Sequence, residues 1–158
     1  MGLKKNDISV NEPDEGYLGS WHANLIYIDG KKCVLFANDK TLFNFIVPNT
    51  PRVQIKELSK VFKHNLGCVL SSEGISEEMK TKILLEYESI EYGNTTNKSV
   101  LGSLNDLAFH YKHRIESEGG VHSYAIPGII NQLNHMPMGA LEYIFPIEAL
   151  KNVLKKAT

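Results

Sequence analysis

The sequence predicts an α+β protein: an antiparallel sheet of three to four strands packed with about five helices. Three observations carry this. β-branched and aromatic residues crowd into short runs between residues 22 and 47, apolar residues recur at helical spacing from about residue 52 onward, and the two kinds of segment are segregated along the chain. With 158 residues, of which 42% are hydrophobic, the chain can build a core of its own, and one domain over 1–158 is the expectation. Residues 1–17 are polar, carry Pro13 and Gly16, and read as a mobile lead-in.

The meander comes first. HANLIYI, KCVLFA and TLFNFIV are strands by composition. Asp29-Gly30 closes the first hairpin, since a two-residue turn needs positive φ and glycine accepts it without strain. Asn38-Asp39-Lys40 makes the second turn, and Pro48 ends the meander because it has no N–H to give to a ladder.

The next segment, Arg52 to about Leu70, places Val53, Leu58, Val61, Phe62, Leu66 and Val69 on one helical stripe, with Arg52, Lys56, Lys60 and Lys63 roughly opposite. Gly74 stops this helix. Ser76, followed by Glu77 and Glu78, opens a second, because a serine cap and early acids suit the positive helix end. A fourth strand is expected near 89–95, weakened by Gly93. A third helix spans 99–116 and stops before Gly119-Gly120, a short fourth runs from near Pro127 to before Pro137, and a fifth begins at Pro146.

Net charge is −1 with 22% charged residues, which excludes a dedicated nucleic-acid binder and leaves nucleic acid only the local patch Arg52, Lys56, Lys60, Lys63. No apolar run reaches the ~18 residues that cross a bilayer and no signal-peptide core is present, so a cytoplasmic protein with no membrane partner is expected. Cys33 and Cys68 sit in apolar settings without metal or redox spacing, and both read as core residues. No cofactor motif is found.

The third helix holds the sharpest candidate. At ~100° per residue, Val100, Leu101, Leu104, Leu107, Ala108, Tyr111 and Ile115 form its apolar side, while Ser99, Ser103, Asp106, His110 and His113 follow one another at spacings of four and three along a polar ridge. An anion could be held at the helix start by Lys98 and the backbone amides around Ser99 and Gly102. Asp106 could orient His110 for proton transfer, giving a hydrolase, nuclease or toxin-type enzyme. Asp106, His110 and His113 as metal ligands lack any supporting pattern, so no metal is expected. The plainer alternative is a solvated face. Elsewhere, Trp21 at a strand entrance is most simply a core lid. Asn24 shares a strand face with His22 and needs partners if buried.

LGSWHANLIYI, KKCVLFANDKTLFNFIVP, TTNKSVLGSLNDLAFHYK and LNHMPMGALEY together resemble a bacterial family of domains of unknown function, over about Leu18 to Leu154. The resemblance implies that members occur alone or beside a plasmid- and transposon-associated ORF-3-like domain, hence a mobile-element or phage-defence setting. Its recurring motifs point to Trp21, His22, Asn24, Asn38, Asp39, Thr41, Lys98, Ser99, Ser103, Asn105 and Asp106. It also implies a further strand and helix at the amino terminus, where this chain starts at GLKKNDI, so that the sheet would lack a strand and offer an edge.

From these readings we expect a non-catalytic binding module for a small anionic, nucleotide-like ligand at the start of helix 99–116. Trp21, His22, Asn24, Asp39, Lys98, Ser99, Ser103, Asn105 and Asp106 are its candidate contacts. The rivals are the Asp106/His110 enzyme and an antitoxin- or inhibitor-like module that meets a protein partner, or a second copy of itself, through the sheet edge or the basic helix 52–66.

Overall fold

A computed structural model describes residues 8–11, 17–50, 55–94 and 98–156, with the side chains of 8–11, 55, 56, 91, 92 and 94 outside that description. The chain forms an α+β fold around one antiparallel sheet. Its strands are β1 (Ile8–Asn11), β2 (Trp21–Ile28), β3 (Lys31–Asn38), β4 (Asn44–Val47) and β5 (Glu91–Asn94), in the spatial order β4-β3-β2-β1-β5. The helices are α1 (Ile55–Ser72), α2 (Glu77–Leu85), α3 (Lys98–Ser117), α4 (Ile126–Asn134) and α5 (Pro146–Lys156).

Strand alternation divides the apolar residues between two cores. Trp21, Ala23, Val34, Phe36 and Phe45 pack with Leu58, Phe62 and Leu66 of α1, Ile83 of α2 and Leu150 and Leu154 of α5. Ile28, Cys33, Leu35, Ala37 and Ile46 meet Leu104, Leu107, Tyr111 and Ile115 of α3 and Ile129 and Leu133 of α4. Successive side chains of a strand point to opposite faces, so each strand feeds both cores.

The first hairpin turns at Asp29 (φ 50°) and Gly30 (φ 74°), the left-handed pair that lets Ile28 face Lys31 without splaying the strands. Gly74, at φ 79°, breaks the chain between α1 and α2, and the Ser76 side chain accepts from the Met79 N–H to cap α2.

The structure differs from the expected one in three places. Among the described residues the sheet has five strands, because Ile8–Asn11, inside the supposed lead-in, pairs antiparallel with both β2 and β5. Four residues of mixed polarity give too little alternation to be read as a strand. Pairing on both sides holds them. The third strand of the meander begins only at Asn44, since Thr41 to Phe43 belong to the turn. The last difference concerns Cys68, which is exposed. It lies two residues after the buried Leu66, and ~200° of helical rotation carries it off the stripe facing the sheet.

Arg52, Val53, the side chain of Lys56, the Thr95 to Asn97 lead into α3 and the GLKKND start lie outside the described residues. Lys60 is exposed and Lys63 half-buried. No helix among the described residues is long and apolar enough to cross a membrane.

Candidate functional site

The turn between β3 and β4 is built by Asn38. Its Oδ1 accepts from the Lys40 N–H (3.1 Å), the Thr41 N–H (3.0 Å) and the Thr41 hydroxyl (2.9 Å), while its Nδ2 donates to the carbonyls of Leu18 (2.9 Å) and Ser20 (3.3 Å). Thr41 Oγ1 in turn accepts from the Phe43 N–H at 3.1 Å. Both side chains are fully enclosed, and their bonds replace ladder bonds that a turn cannot make. Their role is architectural. The turn is tied to the residues leading into β2, and the Asp39 N–H donates to the Ser20 carbonyl at 3.0 Å.

Held in this way, Asp39 reaches His22, and its Oδ1 bonds the imidazole Nδ1. A carboxylate can only accept, so Nδ1 carries a proton. His22 is 1% exposed and Asp39 24%, so the pair runs from the surface inward. Nε2 is buried and finds no hydrogen-bond partner among the described residues. A polar atom left this way costs about 1–3 kcal/mol, which native structures seldom leave uncompensated without a function.

Sheet register locates this atom. Gly93, Ser9, His22, Ala37 and Asn44 are successive cross-strand partners in one row from β5 to β4. Tyr111 of α3 donates its hydroxyl to Asn44 Oδ1 at 2.6 Å at the β4 end of the row. Leu104 and Leu107 of α3 pack in the core on the sheet face that His22 shares, and α3 lies against β2. Asn24, on the same strand face, is 9% exposed.

The polar ridge lies at the surface of this covering helix. Lys98, Ser99, Asn105, Asp106 and His113 are exposed, and Ser103 and His110 are half-buried. Among the described residues no ion pair joins Asp106 to His110; the His110 ring packs on Phe109 at 5.9 Å. A carboxylate–imidazole pair thus exists, but on the sheet at His22–Asp39. Gly102 has open space where a side chain would stand. No group of three or more His, Cys, Asp or Glu is placed to hold a metal among the described residues.

Trp21 stands apart from this set. It points to the opposite sheet face from His22, meets Phe62 edge-on at 5.2 Å, and donates from Nε1 to Tyr87 Oη at 2.8 Å. Tyr87 passes its own proton to the Gly19 carbonyl at 2.6 Å. Sequence reasoning missed a second polar device. Asn134 Oδ1 accepts from the Asn44 N–H (2.9 Å) and Nδ2 (3.1 Å), and its Nδ2 donates back to the Asn44 carbonyl (2.8 Å), so an amide side chain continues the β4 ladder and ties α4 to the sheet. The signal was available: Asn134 lies four residues after Ile130, next to Leu133, on the inward side of its helix. Glu86 is a third case, its carboxylate accepting from the N–H groups of Tyr17 (2.7 Å), Leu18 (3.1 Å) and Gly19 (2.7 Å) to seat the entry to β2.

Fold and site together define an α+β protein with a His–Asp pair set into the face of an antiparallel sheet on which α3 and α4 pack, α3 carrying a polar outer ridge. The chain belongs to the family described as Domain of unknown function (DUF6933), whose model matches residues 1–149. No curated protein and no solved structure gives a match.

Proposed function

We propose that the chain is a non-catalytic binding module for a small anionic, nucleotide-like ligand held between His22 and the first turns of α3. The observation that carries this reading is His22 Nε2, a buried ring nitrogen without a partner among the described residues, whose other nitrogen is fixed by Asp39. A protonated imidazole donates from both nitrogens, one to Asp39 and one to an anion, and the carboxylate balances its charge. Lys98, exposed at the start of the same covering helix, adds a positive charge where the helix dipole already favours an anion. Since Nε2 is enclosed, the ligand gains it only when the elements packed around His22 shift. The setting that goes with this reading is a mobile-element or defence system, where co-purification with a neighbouring gene product would be sought.

A thermal-shift series with inorganic phosphate, AMP and ATP tests the proposal. A ligand at one hundred times its Kd stabilises by about 2.7 kcal/mol, a rise of roughly 5–10 °C for a chain of this size. Lys98→Ala and Gly102→Ala should remove the rise while leaving the unliganded midpoint near that of the parent, as Lys98 is exposed and a Cβ on Gly102 meets open space. His22→Asn should remove it too. A flat response across the series overturns the reading, and release of phosphate from ATP would replace it with an enzyme that uses His22 as base.

A further inference from the structure

A concave site lies at the β4 edge of the sheet and shares no residue with the His22 region. It is a groove of about 370 Å³ over the open side of β4, walled by Ile46, by Val69 of α1 and by Ile126 and Ile130 of α4. Its size falls within the range of small-molecule pockets. Cys68 lies on its α1 wall and His122 on the wall before α4. One turn back from Cys68, His64 Nε2 stands 3.9 Å from Sγ. An exposed thiol, an imidazole in reach of its proton and an apolar trough beside both make up a nucleophile with a binding surface.

We propose that this groove is a covalent binding site for a small apolar α,β-unsaturated carbonyl compound. His64 Nε2 takes the Sγ proton. The thiolate adds to the β-carbon, forming the C–S bond as the carbon–carbon π bond breaks, and the imidazolium returns the proton to the α-carbon. The adduct contains every atom of both reactants, and no oxidant or reductant takes part. Ile46, Val69, Ile126 and Ile130 hold the hydrocarbon tail. The chain's other thiol is an internal control: Cys33 is buried, and burial pushes its thiol above the ordinary value, so it stays unreactive in the fold.

Intact-mass kinetics on the full chain test this, with trans-2-octenal and crotonaldehyde as long and short probes and N-acetylcysteine as reference thiol. We expect one adduct per chain, located at Cys68, with none at Cys33 and none in Cys68→Ser. Burial of two of the four extra methylenes makes the octenal-to-crotonaldehyde rate ratio about tenfold larger on the protein than on N-acetylcysteine. His64→Asn, an exposed substitution, should slow both probes. Equal rate ratios on protein and reference thiol would reduce Cys68 to a merely exposed cysteine and overturn the proposal, as would unchanged rates in His64→Asn.

Discussion

The His22 imidazole is bonded through Nδ1 to Asp39 and presents its Nε2 to the interior with no partner among the described residues. This relationship fixes a tautomer. A long-range ¹H–¹⁵N spectrum of the neutral form should show Nδ1 as the protonated, pyrrole-type nitrogen of His22 and Nε2 as the bare one. In Asp39→Ala both ring nitrogens are unpaired, with a stability loss of about 1–3 kcal/mol in urea unfolding. An Nε2–H tautomer in the parent protein would contradict the assignment.

Asn134 replaces a missing strand neighbour for Asn44. Asn134→Leu keeps similar bulk but leaves the Asn44 N–H and carbonyl unpaired in the core, which should cost about 2–4 kcal/mol. Hydrogen exchange offers the local readout: the Asn44 amide should lose protection more than the amides of β2. Equal protection in parent and variant would show that the amide bridge does not hold β4.

Tyr111 makes an alkaline limit. Burial raises its phenol well above the ordinary value, with Arg114 opposing weakly. In the unfolded chain the group titrates near 10, so above about pH 10 the unfolded state binds fewer protons than the fold and stability declines as pH rises. Below that pH its contribution is fully present. Tyr111→Phe should cost about 1 kcal/mol at pH 7 through the lost bond to Asn44. The same variant should decline less steeply than the parent between pH 10 and 11, and coincident slopes would refute the argument.

Trp21 separates core from site. Trp21→Phe loses the bond to Tyr87 and some packing, a cost of about 1–3 kcal/mol, on the sheet face away from His22. It should lower the melting temperature with and without nucleotide by the same amount. A selective loss of the nucleotide response would bring Trp21 back among the ligand contacts.

These cases show what could be read from the residues. The α+β class, the Asp29-Gly30 turn and the inward stripe of α3 follow from local pattern, because strand alternation, left-handed turns and helical period are written within a few residues. Ile8–Asn11 could not be read so, since its stability comes from two neighbours distant in sequence. Asn24 was legible as a polar residue on an apolar strand, whereas Asp39 reads most simply as turn chemistry and His22 enters through its motif. That His22 and Asp39 meet depends on the turn that Asn38 and Thr41 build. Asp106 and His110 illustrate the reverse: helical spacing allowed a pair, but side chains at the surface have water as an equal partner.

The proposed ligand site turns on His22 Nε2. The most direct test follows the His22 ring nitrogens by NMR while AMP is titrated into the protein. The account predicts a saturating change at Nε2 with Nδ1 still bonded to Asp39, accompanied by shifts in the amides at the start of α3, and no such change in Lys98→Ala. Ring nitrogens that stay fixed throughout the titration would contradict it.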